Sequence, residues 1–193
     1  MNNEKDIIGV IDLVRNAKRI YRDQASDEIL RNPELLSPLI QTVFSSDIVR
    51  SVKGAWILEL VCLYEPKLLI PYIQLIATNL KTITNESALR PLSKIGSLMS
   101  KEYFVEPWED FDPDAIWINA LVAQNFEWLS GEHKVAAKVF AMESLYYWGI
   151  KFDWVYEELI FRLQKDFRSG SSGYQSRARK ILDKIYQTKG SKT

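Results

Sequence analysis

The sequence predicts an all-α fold, an α-α superhelix of about four helix pairs behind an N-terminal capping pair, and three observations predict it. The stretch from Asp47 to Leu63, DIVRSVKGAWILELVCL, comes back. Placing Arg50 over Arg90, Lys134 and Arg177 aligns four segments at intervals of 40, 44 and 43 residues, a period in the range of paired-helix solenoids. Five residues after each cation stands Ala55, Ile95, Val139 or Leu182, and eight after it Leu58, Leu98, Met142 or Ile185. A cation followed by apolar residues at those offsets describes one helix face docking repeatedly on a shared core. Strand signal is almost absent, because the β-branched residues fall at helical spacing and not in alternation.

In chain order, the pattern predicts helices over 4–14 and 17–31, a charged pair suited to cap a repeat stack. Helices over 33–45, 66–82 and 113–129 follow Asn32-Pro33, Glu65-Pro66 and Asp112-Pro113. Proline at the first helical position loses no hydrogen bond, and the residue before it is placed to cap. Asp153-Trp154 opens a helix over 153–168 without the proline. Between these lie helices over 47–64, 86–103, 133–148 and 174–187. The repeating unit is thus helix A, a turn, and helix B with the cation in its first turn. Gly131 and Gly149 fall at predicted helix ends, where glycine adopts a left-handed backbone at little cost. The whole chain reads as one domain, with residues 1–31 as cap, 33–187 as repeats and 188–193 as a flexible tail.

At 193 residues, with 47% hydrophobic and 26% charged residues, the composition is that of a globular chain with a substantial core. Lysine plus arginine equals aspartate plus glutamate at 25 each, so no global field attracts nucleic acid or anionic lipid. The single cysteine, Cys62, lies in the apolar run GAWILELVCLY and reads as a buried thiol in a reducing compartment. Charges at Glu4, Lys5, Asp6 and Asp12 leave no signal-peptide core. No apolar run is long enough for a membrane span. A cytoplasmic protein without membrane association is the expectation.

The pattern resembles the HEAT-like helical repeats, whose second helix often begins with a valine-arginine pair. Val49-Arg50 keeps that pair, Leu89-Arg90 nearly keeps it, and Lys134 and Arg177 are looser. The resemblance covers about residues 33–187 and implies a solenoid that binds proteins or nucleic acids. Residues 132–149, followed by Asp153-Trp154, also resemble a small bacterial family described as adenylosuccinate lyase, which implies a fumarate-releasing elimination. Lyases of that superfamily are more than twice as long and carry a GSSxMPxKxNP loop; no such motif occurs here.

Several residues are candidates for chemistry. Glu59 and Glu143 each stand nine residues after their cation on otherwise apolar helices. A buried carboxylate can act as an acid; the alternative is that each accepts hydrogen bonds from a neighbouring helix. His133, the only histidine, would carry any triad or histidine-based metal site, or else be a solvated residue at a helix start. The loop from Arg168 to Ser176 precedes a helix beside Arg177 and Arg179, a place to hold an anion or a plain turn capped by Ser172. Six tryptophans, with Phe140, Tyr146, Tyr147, Phe152, Tyr156 and Phe161, form either an aromatic groove for a partner or inter-repeat packing with one or two rings exposed.

Charge is unevenly spread. Residues 102–132 hold eight acidic residues and no lysine or arginine, while residues 162–193 hold nine basic residues against Asp166 and Asp183. The predicted B helices carry Arg50, Lys53, Arg90, Lys94, Lys134, Lys138, Arg177 and Lys180, the candidate partner-binding set on a concave face. The first functional reading is a non-catalytic scaffold that binds a protein or acidic peptide there. The alternative is a nucleic-acid binder using the same cations and the basic C-terminal end, and a lyase-type enzyme ranks last. No catalytic residue, metal site or cofactor is assigned.

Overall fold

The computed structural model describes residues 3–105 and 116–190. Among them are ten α-helices and no strand: α1 (Asn3–Asp12), α2 (Arg19–Arg31), α3 (Leu36–Val43), α4 (Ile48–Tyr64), α5 (Ile73–Asn79), α6 (Glu86–Val105), α7 (Ile116–Ser130), α8 (Val135–Lys151), α9 (Asp153–Asp166) and α10 (Ser172–Gly190). The chain is all-α, as its periodicity requires. The predicted 113–129 helix is described from Ile116 on; Asp112, Pro113 and most of the acidic block lie outside the described residues, as does Trp108. The last helix runs on to Gly190, through the first residues of the predicted tail.

Prolines explain where the helices depart from expectation. The segment predicted as one helix over 66–82 is a 3-10 helix over Pro66–Tyr72, then α5, then a 3-10 turn over Leu80–Thr82. Pro71 lacks an N–H and its ring crowds the carbonyl four residues earlier, so α-helical winding starts only beyond it. Pro33 likewise opens a 3-10 turn, Pro33–Leu35, ahead of α3. Pro91 lies inside α6 and would leave the Ser87 carbonyl without its helical donor. The Trp56 indole of α4 fills that role, donating to Ser87 O at 3.2 Å.

Caps also shift. Neither Asn32 nor Glu65 caps the helix after its proline; Asn32 Nδ2 instead donates to Glu28 O at 3.0 Å and closes α2. Asp47 does cap α4, accepting from the Arg50 N–H at 3.0 Å. At α10 the cap is Ser171, whose Oγ accepts from the Tyr174 N–H at 3.3 Å, one residue before the expected Ser172.

Packing follows a simple order. Helices α2, α4, α6, α8 and α10 touch in succession; α3 lies on α4, α5 on α7, and both α7 and α9 on α8. The core runs through all of them, and its largest fully buried side chains are Trp128, Trp148 and Tyr156. Around Trp148 gather Tyr103, Phe104, Trp117 and Phe152, with centroids 5.4–6.4 Å away. Of the repeat positions, Ala55, Ile95, Leu58, Met142 and Ile185 are buried, and Val139, Leu182 and Leu98 are half-buried. Cys62 is a buried free thiol, and burial pushes it up to about 12. Among the described residues no single helix is long and apolar enough to cross a membrane; α4 and the segment after it meet that test only as a pair bent by 119°.

Gly149 has a steric role. It lies inside α8, and neither it nor Gly131 takes the left-handed backbone expected of a helix-end glycine. A Cβ at 149 would overlap the ring of Tyr156, whereas one at Gly9 would meet nothing within 4 Å. The absent side chain lets the buried Tyr156 ring of α9 lie directly on α8. Gly149→Ala is therefore expected to destabilise by about 1–3 kcal/mol through overpacking. Gly9→Ala, in an open helical position, is expected to be neutral or stabilising by up to about 1 kcal/mol. Urea unfolding of both variants checks the contrast.

Candidate functional site

The predicted partner-binding cations lie along the row of helices α4, α6, α8 and α10, and the structure divides them into two groups. The first group is tied into the fold. Glu59 sits on α4 among Leu58, Leu60 and Val61, with its side chain only 3% exposed. Its Oε2 accepts from Arg90 Nη1 at 3.1 Å and its Oε1 from Lys94 Nζ at 2.8 Å, both from α6. The same register position on α8 is Glu143. Its Oε1 accepts from Arg177 Nη1 of α10 at 2.5 Å, and its Oε2 from Ser97 Oγ of α6 at 3.3 Å. Each carboxylate therefore has both oxygens occupied by neighbouring helices. Glu59 and Glu143 also stand on helices separated by α6, so they form two structural junctions and no shared acid–base pair.

The α6–α8 step is joined differently, because Met99 takes the carboxylate position there. Ser100 and Ser144, each ten residues after its cation, meet across these helices at 2.8 Å. Asn125 Nδ2 of α7 donates to Ser144 Oγ at 3.3 Å, and Ser100 Oγ donates to Gly96 O at 2.7 Å. A hydroxyl has one proton, so Ser144 must be the donor to Ser100. The chain Asn125→Ser144→Ser100→Gly96 is thus a directed, fully buried polar link. Two serines at one repeat position were its signal in the sequence.

Among the described residues the second group of cations makes no ion pair with another helix. Among the described residues Arg50 pairs within its own helix start, with the cap Asp47 at 3.6 Å, and with no other helix. The Lys53, Lys134, Lys138 and Lys180 side chains make no ion pair or hydrogen bond among the described residues. The cations also enter their helices at different depths: Arg50 is in the first turn of α4, Lys134 precedes α8, and Arg177 is in the second turn of α10. Only the first matches the expected unit.

His133 is held by Glu86. Its Nδ1 meets Glu86 Oε1 at 2.5 Å, while the Lys134 N–H donates to Glu86 Oε2 at 3.2 Å. Burial pushes the Glu86 carboxyl up, but the bonds from His133 and Lys134 outweigh it and hold the group below its usual 4.5. His133 also lines a cavity of about 500 Å³ between the α7–α8 and α9–α10 turns, with Lys138, Asp166, Gly170, Ser171 and Tyr174. The predicted anion loop forms one wall of it. Asp166 and Glu132 share that lining, and they oppose an anion. No described serine hydrogen-bonds His133, and no three described metal-ligating side chains gather.

The tryptophans are mainly structural. Trp117, Trp128 and Trp148 are buried, Trp56 is half-buried, and Trp154 alone among the five described is exposed, at 52%.

Two expected outcomes follow from the carboxylates. Arg90 and Lys94 reach solvent, with side chains 42% and 22% exposed, while Glu59 does not. Removing the acid leaves cations that water can solvate, but removing both cations strands a buried anion. Glu59→Gln is thus expected to lose about 1–2 kcal/mol, and Arg90→Met with Lys94→Met about 3–5 kcal/mol, read by urea unfolding at neutral pH. For Glu86, a folded-state value below 4.5 means stability that is present above that pH and lost as pH falls through the lowered value. The melting-temperature gap between the native chain and Glu86→Gln is expected to close as pH falls below 4.5.

Against known protein families, curated proteins and solved structures, the chain has no match in any of the three comparisons.

Proposed function

We propose that the chain is a non-catalytic helical-repeat scaffold, HEAT-like in its helix pairing, that binds a protein or acidic peptide along the α4–α6–α8–α10 row. One observation carries this reading. The side chains of Lys53, Lys134, Lys138 and Lys180, along three members of that row, make no ion pair or hydrogen bond among the described residues, while Arg90, Lys94 and Arg177 are held by Glu59 and Glu143. The same helices thus carry two kinds of cation, one kind that stitches the row and one that is left to solvent. An acidic segment lying on the free lysines gains charge complementarity without disturbing the stitches. The carboxylates that would have served an enzyme are engaged in helix junctions, which favours binding over catalysis. The lyase reading draws no support from His133, whose contacts are the Glu86 pairing.

The test uses fluorescence anisotropy with a labelled glutamate-rich peptide and with duplex DNA. Changing Lys53, Lys134, Lys138 and Lys180 together to glutamate is expected to weaken the peptide at least about tenfold while leaving the melting temperature nearly unchanged, since surface charges contribute little to stability. DNA binding near physiological salt is expected to stay weak. Sub-micromolar DNA binding that falls with log salt at a slope near −4, about −0.9 for each neutralised phosphate, and that vanishes in the fourfold variant would replace the scaffold reading with the nucleic-acid one.

A further inference from the structure

A second surface, on the opposite helix set, carries the reverse charge. Helices α7 and α9 both lie on α8 and face each other across a groove of about 610 Å³ lined by Ala123, Phe126, Glu127, Trp154, Glu157, Glu158 and Arg162. On α7, Ala123, Phe126 and Glu127 share one face by their i, i+3, i+4 spacing; on α9, Trp154, Glu157, Glu158 and Phe161 share another.

Half of this groove already holds a cation. The Arg162 guanidinium lies over the Phe126 ring at 4.9 Å, its Nε donates to Glu158 Oε1 at 2.6 Å, and its Nη1 reaches Phe126 O and Ser130 Oγ. The other half repeats the same chemistry without an internal cation. Trp154 lies 6.1 Å from Phe126, is half exposed, and has no cation over it among the described residues. Glu127 and Glu157 flank the groove as exposed carboxylates with no side-chain partner among the described residues. Tryptophan is the ring that attracts a cation most strongly, and adjacent carboxylates add to that attraction.

We infer that the α7–α9 groove is a docking site for a basic peptide segment, with an arginine side chain seated on Trp154 between Glu127 and Glu157. The intramolecular Arg162–Phe126–Glu158 arrangement is the pattern that the incoming arginine repeats one ring further along. Charge complementarity selects this occupant: the one cation among the groove's described lining residues, Arg162, is already engaged, so two carboxylates face solvent beside an exposed ring. A planar guanidinium stacks on the indole and is bound by carboxylate oxygens at its edge.

The experiment titrates the full chain with a labelled arginine-rich peptide, the same peptide with citrulline at every arginine, and a glutamate-rich peptide. Binding is expected for the first only, weakening as salt rises. Trp154→Ala is expected to weaken it about tenfold, as is Glu127→Gln combined with Glu157→Gln. The Lys53/Lys134/Lys138/Lys180 reversal to glutamate is expected to leave it intact, so this site and the lysine row succeed or fail separately. In a ¹H–¹⁵N spectrum of the unsubstituted chain, the Trp154 indole signal, assigned from Trp154→Phe, is expected to move on titration; this readout survives even if a variant unfolds. Equal affinity for the citrulline peptide, an unmoved Trp154 signal, or unchanged affinity in the folded variants would overturn the inference. So would binding of phosphatidylcholine vesicles, which present another cation, in place of the peptide.

Discussion

Helix α8 is covered by neighbours on most of its circumference, and the rest of the structure follows from that. It packs against α6, α7, α9 and α10, so nearly every residue it carries must be apolar, small or supplied with a partner. Trp148 enters a cage of rings from α6 and α7. Gly149 gives its surface to the Tyr156 ring. Ser144 and Glu143, the two polar residues of its central turns, are satisfied only by side chains from other helices. Removing water from a helix on so many sides stabilises it through the apolar area buried, and it makes every unmatched polar group there costly.

The polar links answer that second demand with different chemistry at each step. Between α4 and α6 the link is a buried acid with two cations. Between α6 and α8 it is a chain of hydroxyls ending on a backbone carbonyl, beside the bond from Ser97 to Glu143. Between α8 and α10 it is again an acid, with one arginine. Such links favour one register between neighbouring helices, because a shifted helix would leave the buried Glu59 carboxylate without its donors from α6. They also sort the lysines and arginines, which sequence alone cannot do, into those that hold the row and those whose side chains pair with no other helix among the described residues. The two proposed surfaces follow from this sorting, a lysine-bearing row on one set of helices and a tryptophan–glutamate groove on the other.

Much of the helix plan was legible before any coordinates, since apolar spacing, proline-led starts and turn residues are local signals. The expected roles of Glu59 and Glu143 as acceptors from neighbouring helices were legible too, because a lone carboxylate on an apolar helix has few alternatives. The site was less legible. Eight cations at recurring positions read as one surface, yet whether Arg90 meets water or Glu59 depends on a residue thirty-one positions away. The exposed ring could not be told from the buried ones, because all the tryptophans sit in similar apolar surroundings along the chain.

The sequence by itself therefore determined that the chain is helical, where most helices begin and end, and that its surface is balanced in charge overall. Tertiary structure decided what each charge and ring faces. Pro71 broke a predicted helix, but the orphaned Ser87 carbonyl created by Pro91 was matched only when Trp56 arrived from α4. Gly149 was visible as a glycine, but the reason for it, the Tyr156 ring, appears only when α9 folds back on α8. Local spacing sets the direction of a side chain relative to its own helix; its partner is set by how helices distant in sequence stack, and that is a property of the assembled core.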